Sequence, residues 1–588
     1  MYLHASLLAD PAVADHVDVA IHSFLADTPI IAIIDEVVAN QPDLVGFSCQ
    51  GWNIAVYSQL LPTLRQLLPA AVIVFGGNHV SHQGSRWLSQ IPEVDIVVNG
   101  EGEHTIRDLA AWMLQSEPPL NQIAGITYRG EHAPVTNDPR PRATALEDLP
   151  SPFVSAIDEL ANADVALWET NRGCPYHCAF CHWGGAVGQK ISRGGLDRVR
   201  EELQTIAKAG TPAIFLCDAN FGILPQDLEI ARMIVDARQR YGAPRTLHVN
   251  WAKNHANRVG QILDVLREGD VRTNVYLALQ TLSSSALALA GRDERGRSDM
   301  MQLARDILAA GGEVGAELIF GLPGETLNEF RSAYDELYPA FPSLLVHPLW
   351  ILPNTTYDSE RATFGLITIK PDPTVDYEGV LQHATLSRAD NQTGLQLLLA
   401  DDILVGSGYA RTTMRGLARW AGIRPTQILH AFLQFISRCS DPLAEQLHVV
   451  AEVLEAECYF HRRLRGNVRQ SLFSDRARAH ALLDEFVKTI APDPQVKAVC
   501  RQLAQHDTAL LPRADVVGEG TVTEKLTVPY DTYALGRRLL ADADCRFPDH
   551  RPVELEIEHQ AGFARHAADA IDFSGQWRGR VVATTPVR

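Results

Sequence analysis

The 588-residue sequence has no uninterrupted apolar run of the ~18 residues that a membrane span needs, and no segment is read as crossing a bilayer. Its opening stretch, MYLHASLLADPAVADHVDVA, lacks the basic start and small-residue cleavage site of a secretory signal, so a cytoplasmic location is expected. Positive charge is scarce. Lys and Arg number 52 against 71 Asp and Glu, a net charge of −19, which argues against wide nucleic-acid binding on a basic face. There is no internal repeat and no low-complexity tract. Cysteine is also sparse, at nine residues, and a disulfide framework is not expected in a long chain without a signal. Six cysteines (Cys49, Cys217, Cys439, Cys458, Cys500, Cys545) are scattered and read as small buried hydrophobes. The other three are clustered.

The chain is long enough for several domains, because one hydrophobic core rarely grows past about 250–300 residues. Hydrophobic residues make up 46% and charged residues 21%, a globular balance. Over residues 1–115, helical patterns at 29–40, 55–68 and 103–114 alternate with β-rich runs at 17–24 (VDVAIHSF), 44–48 (LVGFS), 71–75 (AVIVF) and 94–98 (VDIVV). That alternation predicts a parallel sheet covered on both faces. Gly76-Gly77 and Asn99-Gly100 follow two of these runs, at the strand ends where open α/β sheets bind ligands. Residues 120–160 read as a short β excursion and a proline-rich connection. Six strand patterns follow: 165–171, 213–219, 246–251, 274–280, 315–321 and 344–352. Helical patterns separate most of them, which predicts a partial or full α/β barrel. Beyond 370, helices are expected at 375–389, 411–439, 444–461, 474–490 and 494–506, then a β-leaning tail. Tyr459, His461 and Arg462 read as a solvated helix face.

The clustered cysteines lie in Asn171-Arg-Gly-Cys174-Pro-Tyr-His-Cys178-Ala-Phe-Cys181-His-Trp, just after the first barrel strand. Three thiolates in one loop can wrap three irons of a cubane and leave the fourth open, as catalytic metal sites leave a position free. A structural zinc site with His177 or His182 would want paired short spacings, and no second CxxC exists. Cys178-Ala-Phe-Cys181-His182 also fits a haem-attachment pattern, which belongs with export and leaves Cys174 unexplained.

The spacing C-x-x-x-C-x-x-C, with an aromatic before the last cysteine and Arg-Gly ahead of the first, resembles the radical SAM superfamily signature. The resemblance implies that Cys174, Cys178 and Cys181 bind a [4Fe–4S] cluster whose open iron is chelated by S-adenosylmethionine, with Phe180 against the adenine. Asp218 and Asn220 after the second strand, Gln280 after the fourth, Glu317 on the fifth, the Gly321-Leu-Pro-Gly-Glu325 turn and the Leu352-Pro-Asn-Thr loop are similar to family positions near the cofactor. Arg292 and Arg295 follow the fourth strand and suit a carboxylate.

LVGFSCQGWN, AVIVFGGNHVS and VDIVVNGEGEHTIRDL, in that order, resemble the cobalamin-binding domain that precedes many radical SAM domains. The expected contacts are Ser48, Gln50, Trp52, Asn53, Gly76, Gly77, Gly100, Glu101 and Gly102. No D-x-H-x-x-G string is present, so no histidine is expected below the cobalt, and Trp52 or Gln50 takes that place.

The fold class expected is α/β: an N-terminal Rossmann-like cobalamin-binding domain (1–130), a linker (131–160), a central partial (β/α)6 radical SAM barrel (161–365) and a mainly helical C-terminal domain (366–588). The resemblance implies a cobalamin-dependent radical SAM methyltransferase. Such an enzyme carries a methyl group from S-adenosylmethionine via methylcobalamin to a carbon of a small molecule or peptide, as in antibiotic biosynthesis. A flavodoxin or ferredoxin would donate electrons, and neither nucleic acid nor membrane is an expected partner. A cobalamin-binding rearrangement or cyclisation enzyme, and a non-catalytic iron–sulfur protein, stand as alternatives.

Overall fold

The computed structural model describes residues 1–25, 28–153, 160–183, 188–292, 297–310, 312, 314–370, 376–457, 462–516, 520–541, 545–561 and 578–587. Gly184, Arg295, Cys458, Tyr459 and His461 lie outside the described residues, as does the side chain of Arg462.

The first sheet holds five strands in sequence order: β1 (Leu44–Ser48), β2 (Val72–Gly76), β3 (Ile96–Val98), β4 (Ile126–Arg129) and β5 (Pro134–Thr136). The first three run parallel, and β4 and β5 turn back antiparallel at the edge. β2 lies between β1 and β3, and its VIVF run is apolar without alternation because helices cover both faces. Ile73 and Phe75 face one cluster with Ile34 and Leu61, and Val74 faces the other with Leu109 and Ile126. The run 17–24 is not a strand. Its alternation is real, yet it pairs with neither edge of this sheet, β1 or β5.

The barrel strands are β6 (Val165–Trp168), β7 (Ala213–Leu216), β8 (Thr246–His248), β9 (Val275–Gln280), β10 (Val314–Phe320) and β11 (Ser343–Pro348), all parallel to their neighbours. The hydrogen-bonded array breaks at one place. Arg272 and Thr273, just ahead of β9, pair with β8, while β9 itself pairs with β10, so a bent fourth strand bridges the two halves. This is a partial (β/α)6 barrel. Trp168, Leu216, Leu247, Leu277, Leu318 and Val346 pack outward against helical Ile206, Ile234 and Ile262 in a core that continues into the C-terminal bundle through Leu398, Phe432 and Phe486.

A small antiparallel sheet extends the barrel's end: β12 (Trp350–Ile351), β14 (Glu378–Gln382) and β13 (Ile367–Ile369), in that order. The helix expected at 375–389 is therefore replaced by a strand. The helix begins only at Arg388, where the Ser387 side chain accepts from the Asp390 N–H and caps it. Among the described residues, seven α-helices lie between Arg388 and Ala509, with a π-helical segment at Asp402–Gly406. The tail forms β15 (Thr521–Val528), β16 (Val553–Gln560) and β17 (Arg580–Pro586), an antiparallel sheet. Among the described residues, no helix is long and apolar enough to cross a membrane.

Candidate functional site

The cysteine loop grows from the end of β6. Its stem, Asn171–Arg172, pairs antiparallel with Ser192–Arg193. Gly173 follows at φ 124°, where a Cβ would stand 2.7 Å from the Lys190 carbonyl oxygen, so only glycine fits. The root is gripped by Asp218, which is fully buried at the end of β7. Asp218 accepts from the Thr170 N–H at 2.8 Å, the Thr170 hydroxyl, the Asn171 N–H at 3.2 Å and the Asn171 side-chain amide at 2.7 Å. Burial pushes its carboxyl up to about 7, against the hydrogen bonds that favour the charge. The oxygens of Asp218 thus hold the loop root.

Cys174 and Cys178 are buried and Cys181 is half-buried. The Asn220 amide donates to the Cys174 sulfur at 3.3 Å, and its own carbonyl oxygen is buried without a partner. Lys253 places its ammonium 4.0 Å from the Cys178 sulfur and 5.5 Å from the centre of the Tyr176 ring. Burial raises the Cys181 thiol, and the Lys253 charge opposes this. Among the described residues, no three His, Cys, Asp or Glu side chains close on one point as a single ion requires. A cubane spreads its thiolates over separate irons and does not need them to. The cation beside the sulfurs, and the open Asn220 oxygen, suit a thiolate-held cluster with a polar ligand next to it.

The surrounding positions follow the barrel mouth. Arg292 donates to the Ala278 carbonyl at 2.7 Å and keeps a second guanidinium nitrogen buried without a partner. Burial lowers its pKa, and Cys178 and Tyr176 work against that. Arg292, Lys253, Asn254, Tyr276 and Thr281 line one pocket in the seam between β8 and β9. Glu317, on β10, is raised by burial and opposed by Lys253. Gln280 sits at a β-bulge with φ 69°, a conformation uncommon for a side-chain-bearing residue. Phe180 packs on a floor of Ala179, Leu322, Leu349 and Ile351. Glu325 is buried with one oxygen bonded by Thr281 and the other unpartnered.

The loops of the first sheet divide into those that leave a surface open and those already committed. Gly77 has φ 110°, and a Cβ there would stand 2.7 Å from the Cys49 carbonyl oxygen. Gly100, at φ 81°, faces open space within 4 Å, and Gly76 meets only Val98 at 3.8 Å. Trp52 is 64% exposed. Three of the expected residues are engaged within the protein itself. Asn53 closes its own loop, accepting from the Gln50 N–H at 2.7 Å and donating to the Ser48 carbonyl at 2.9 Å. A Cβ built on Gly102 would stand 3.1 Å from the Leu3 side chain. Glu101 accepts from Arg142 at 3.1 Å and from the Ala143 N–H at 2.8 Å, and lies 3.5 Å from Arg172.

That last contact joins the two halves. Arg172, two residues before Cys174, also reaches Glu103 at 2.9 Å and Glu169 at 2.9 Å, with its guanidinium over the Tyr2 ring at 5.6 Å. On the other side, Asn354 donates to the Ser81 carbonyl at 2.9 Å and accepts from Gln83 at 3.3 Å. The mouths of the sheet and the barrel thus face each other. Sequence reasoning passed over Lys253, and it read Arg172 and Glu103 only as parts of motifs, with no role of their own. Lys253 had a readable signal, a cation at the carboxyl end of the third barrel strand.

A mainly parallel sheet and a thiol-bearing barrel stand mouth to mouth. Residues 3–110 match the family described as B12 binding domain, and residues 168–337 match the Radical SAM superfamily. Along the chain the B12 binding domain match precedes the Radical SAM match. It is 32% identical over 381 residues to the cobalamin-dependent radical SAM methyltransferase TokK of Streptomyces tokunonensis, covering 62% of this chain and 56% of the relative. It is 33% identical over 374 residues to 2-(S-pantetheinyl)-carbapenam-3-carboxylate methyltransferase of Streptantibioticus cattleyicolor, covering 61% and 54%. The chain spans about half the length of these curated relatives. The solved cobalamin-dependent S-adenosylmethionine radical enzyme OxsB shares the fold, with TM-score 0.57 and 17% identity over 83% of this chain and 81% of that one.

Proposed function

We propose that the chain is a cobalamin-dependent radical SAM methyltransferase acting on a carbon of a small molecule or peptide in natural-product biosynthesis. The same reading divides it at 1–130, 131–160, 161–365 and 366–588. The observation that carries it is the facing of the two mouths, with Arg172 tying the cysteine loop to Glu101 and Glu103 of the B12 binding domain. When bound, the cluster and S-adenosylmethionine supply reductive one-electron chemistry, and cobalamin supplies a methyl carrier.

The chain's own residues hold and shield these groups. Cys174, Cys178 and Cys181 ligate the cluster, and Asn220 and Lys253 present donors to the Cys174 and Cys178 sulfurs. Arg292, with its unpartnered nitrogen, takes the carboxylate of S-adenosylmethionine. Phe180 backs the adenine, and Gln280 and Glu317 line the remaining wall. On the facing side, Gly76, Gly77 and Gly100 let a bulky cofactor approach the backbone, and Ser48, Gln50 and Trp52 bound its lower face. The helical block from Arg388 onward closes over the barrel and restricts water. A cytoplasmic flavodoxin or ferredoxin supplies electrons.

The test is anaerobic incubation of the full chain with methyl-labelled S-adenosylmethionine, a reductant and metabolites of the neighbouring genes, read by mass spectrometry. One labelled methyl in a product supports the reading. A product altered without the label turns it to rearrangement. Iron in place without product or 5′-deoxyadenosine turns it to a non-catalytic iron–sulfur protein.

A further inference from the structure

The loops that bound the mouth of the first sheet are not held by their own domain alone. Asp376, at the approach to β14, donates its backbone N–H to the Gly51 carbonyl at 2.9 Å. Its carboxylate meets His79 Nε2 at 2.8 Å, an Arg86 nitrogen at 3.2 Å and the Lys370 ammonium. The His79 and Asp376 side chains are only 4% and 9% exposed. Burial works against the carboxylate's charge, and His79, Lys370 and Arg86 outweigh it, holding Asp376 well below the usual range. The next residue, Tyr377, lays its ring where Gly51 has no side chain, and a Cβ built on Gly51 would collide with that ring. The same ring meets His79 edge-on at 6.4 Å and Trp350 at 6.0 Å. Two adjacent residues from the barrel side therefore grip both the loop after β1 and the loop after β2.

We propose that Asp376 and Tyr377 form a strap that shapes the lower boundary of the cobalamin site, so that the environment of the bound cobalt is set in part by residues outside the B12 binding domain. This rests on the reading above, in which the loop carrying Gln50 and Trp52 lies beneath the corrin. Both are positioning residues: the strap fixes the backbone at Gly51, one residue from Trp52, and the ring rather than the hydroxyl of Tyr377 fills the space beside it.

The experiment uses the full chain titrated with hydroxocobalamin and then reduced to cob(II)alamin, read by absorbance and electron paramagnetic resonance. Tyr377→Ala is expected to weaken binding about tenfold, as loss of an outer support does at metal sites, and to shift the cob(II)alamin spectrum toward a solvent-ligated cobalt. Tyr377→Phe is expected to restore both. Asp376→Asn, which keeps the shape and removes the charge, is expected to move both in the same direction as Tyr377→Ala, and it serves if that variant does not fold. Wild-type affinity and an unshifted spectrum in Tyr377→Ala, or in Asp376→Asn, overturn the strap while leaving the proposed function intact. A wild-type chain that takes up no hydroxocobalamin overturns both.

Discussion

At the scale of single residues, Arg172 and Glu325 make the firmest commitments. Arg172 stands among Glu101, Glu103 and Glu169, largely out of water, and its removal leaves Glu103 and Glu169 without their cation while Glu101 keeps Arg142. Arg172→Met is expected to cost about 3 kcal/mol, the low end for breaking a buried ion pair, measured by urea unfolding. Arg172→Lys recovers the charge but not the fork, and should fall between. Glu325 is held protonated by burial, its pKa pushed from 4.5 up to about 8 despite the hydrogen bond from Thr281. The folded chain keeps a proton that the unfolded chain loses, so this stabilisation is complete below pH 4.5 and declines toward pH 8. Glu325→Gln should therefore melt higher than wild type at the alkaline end of that window and nearly with it at the acid end, and equal melting at both ends would contradict the assignment. The cysteines were legible because three thiols within eight positions form a local pattern. The His79–Asp376 pair spans 297 positions, and no local signal announces it.

At the scale of elements, the two glycine turns of the first sheet differ in what surrounds them. Gly77→Ala must face both a positive φ and the Cys49 backbone, whereas Gly100→Ala faces the positive φ alone. The first is expected to destabilise by about 2–3 kcal/mol and the second by about 1 kcal/mol, ranked by thermal melting. Reversed order would refute the account of the turn. The sheet and barrel were readable because strand–helix alternation repeats on a short period. The two failures have one cause. VDVAIHSF alternates like a strand but pairs with neither edge of the sheet, and residues 378–382 pair with two strands far enough away that their own pattern read as helix. Strand identity there is decided by partners, which a local pattern does not contain.

At the scale of the whole molecule, the site belongs to no single domain. The barrel supplies the thiols, the first sheet supplies the open glycine turns, and contacts at Arg172, Asn354 and Asp376 fix one against the other. Cys174→Ala, with Cys178 and Cys181 left in place, is expected to lose most of the iron and sulfide after reconstitution while still binding hydroxocobalamin, because the corrin loops do not depend on the cluster. Retention of full iron would detach Cys174 from the cluster.

The central claim is that Cys174, Cys178 and Cys181 hold a [4Fe–4S] cluster with one iron open to S-adenosylmethionine. It is tested most directly by electron paramagnetic resonance of the anaerobically reconstituted, dithionite-reduced chain with and without S-adenosylmethionine. A reduced-cluster signal that shifts when S-adenosylmethionine is added is the expected result. A sample without that signal, or a signal indifferent to the addition, would contradict it.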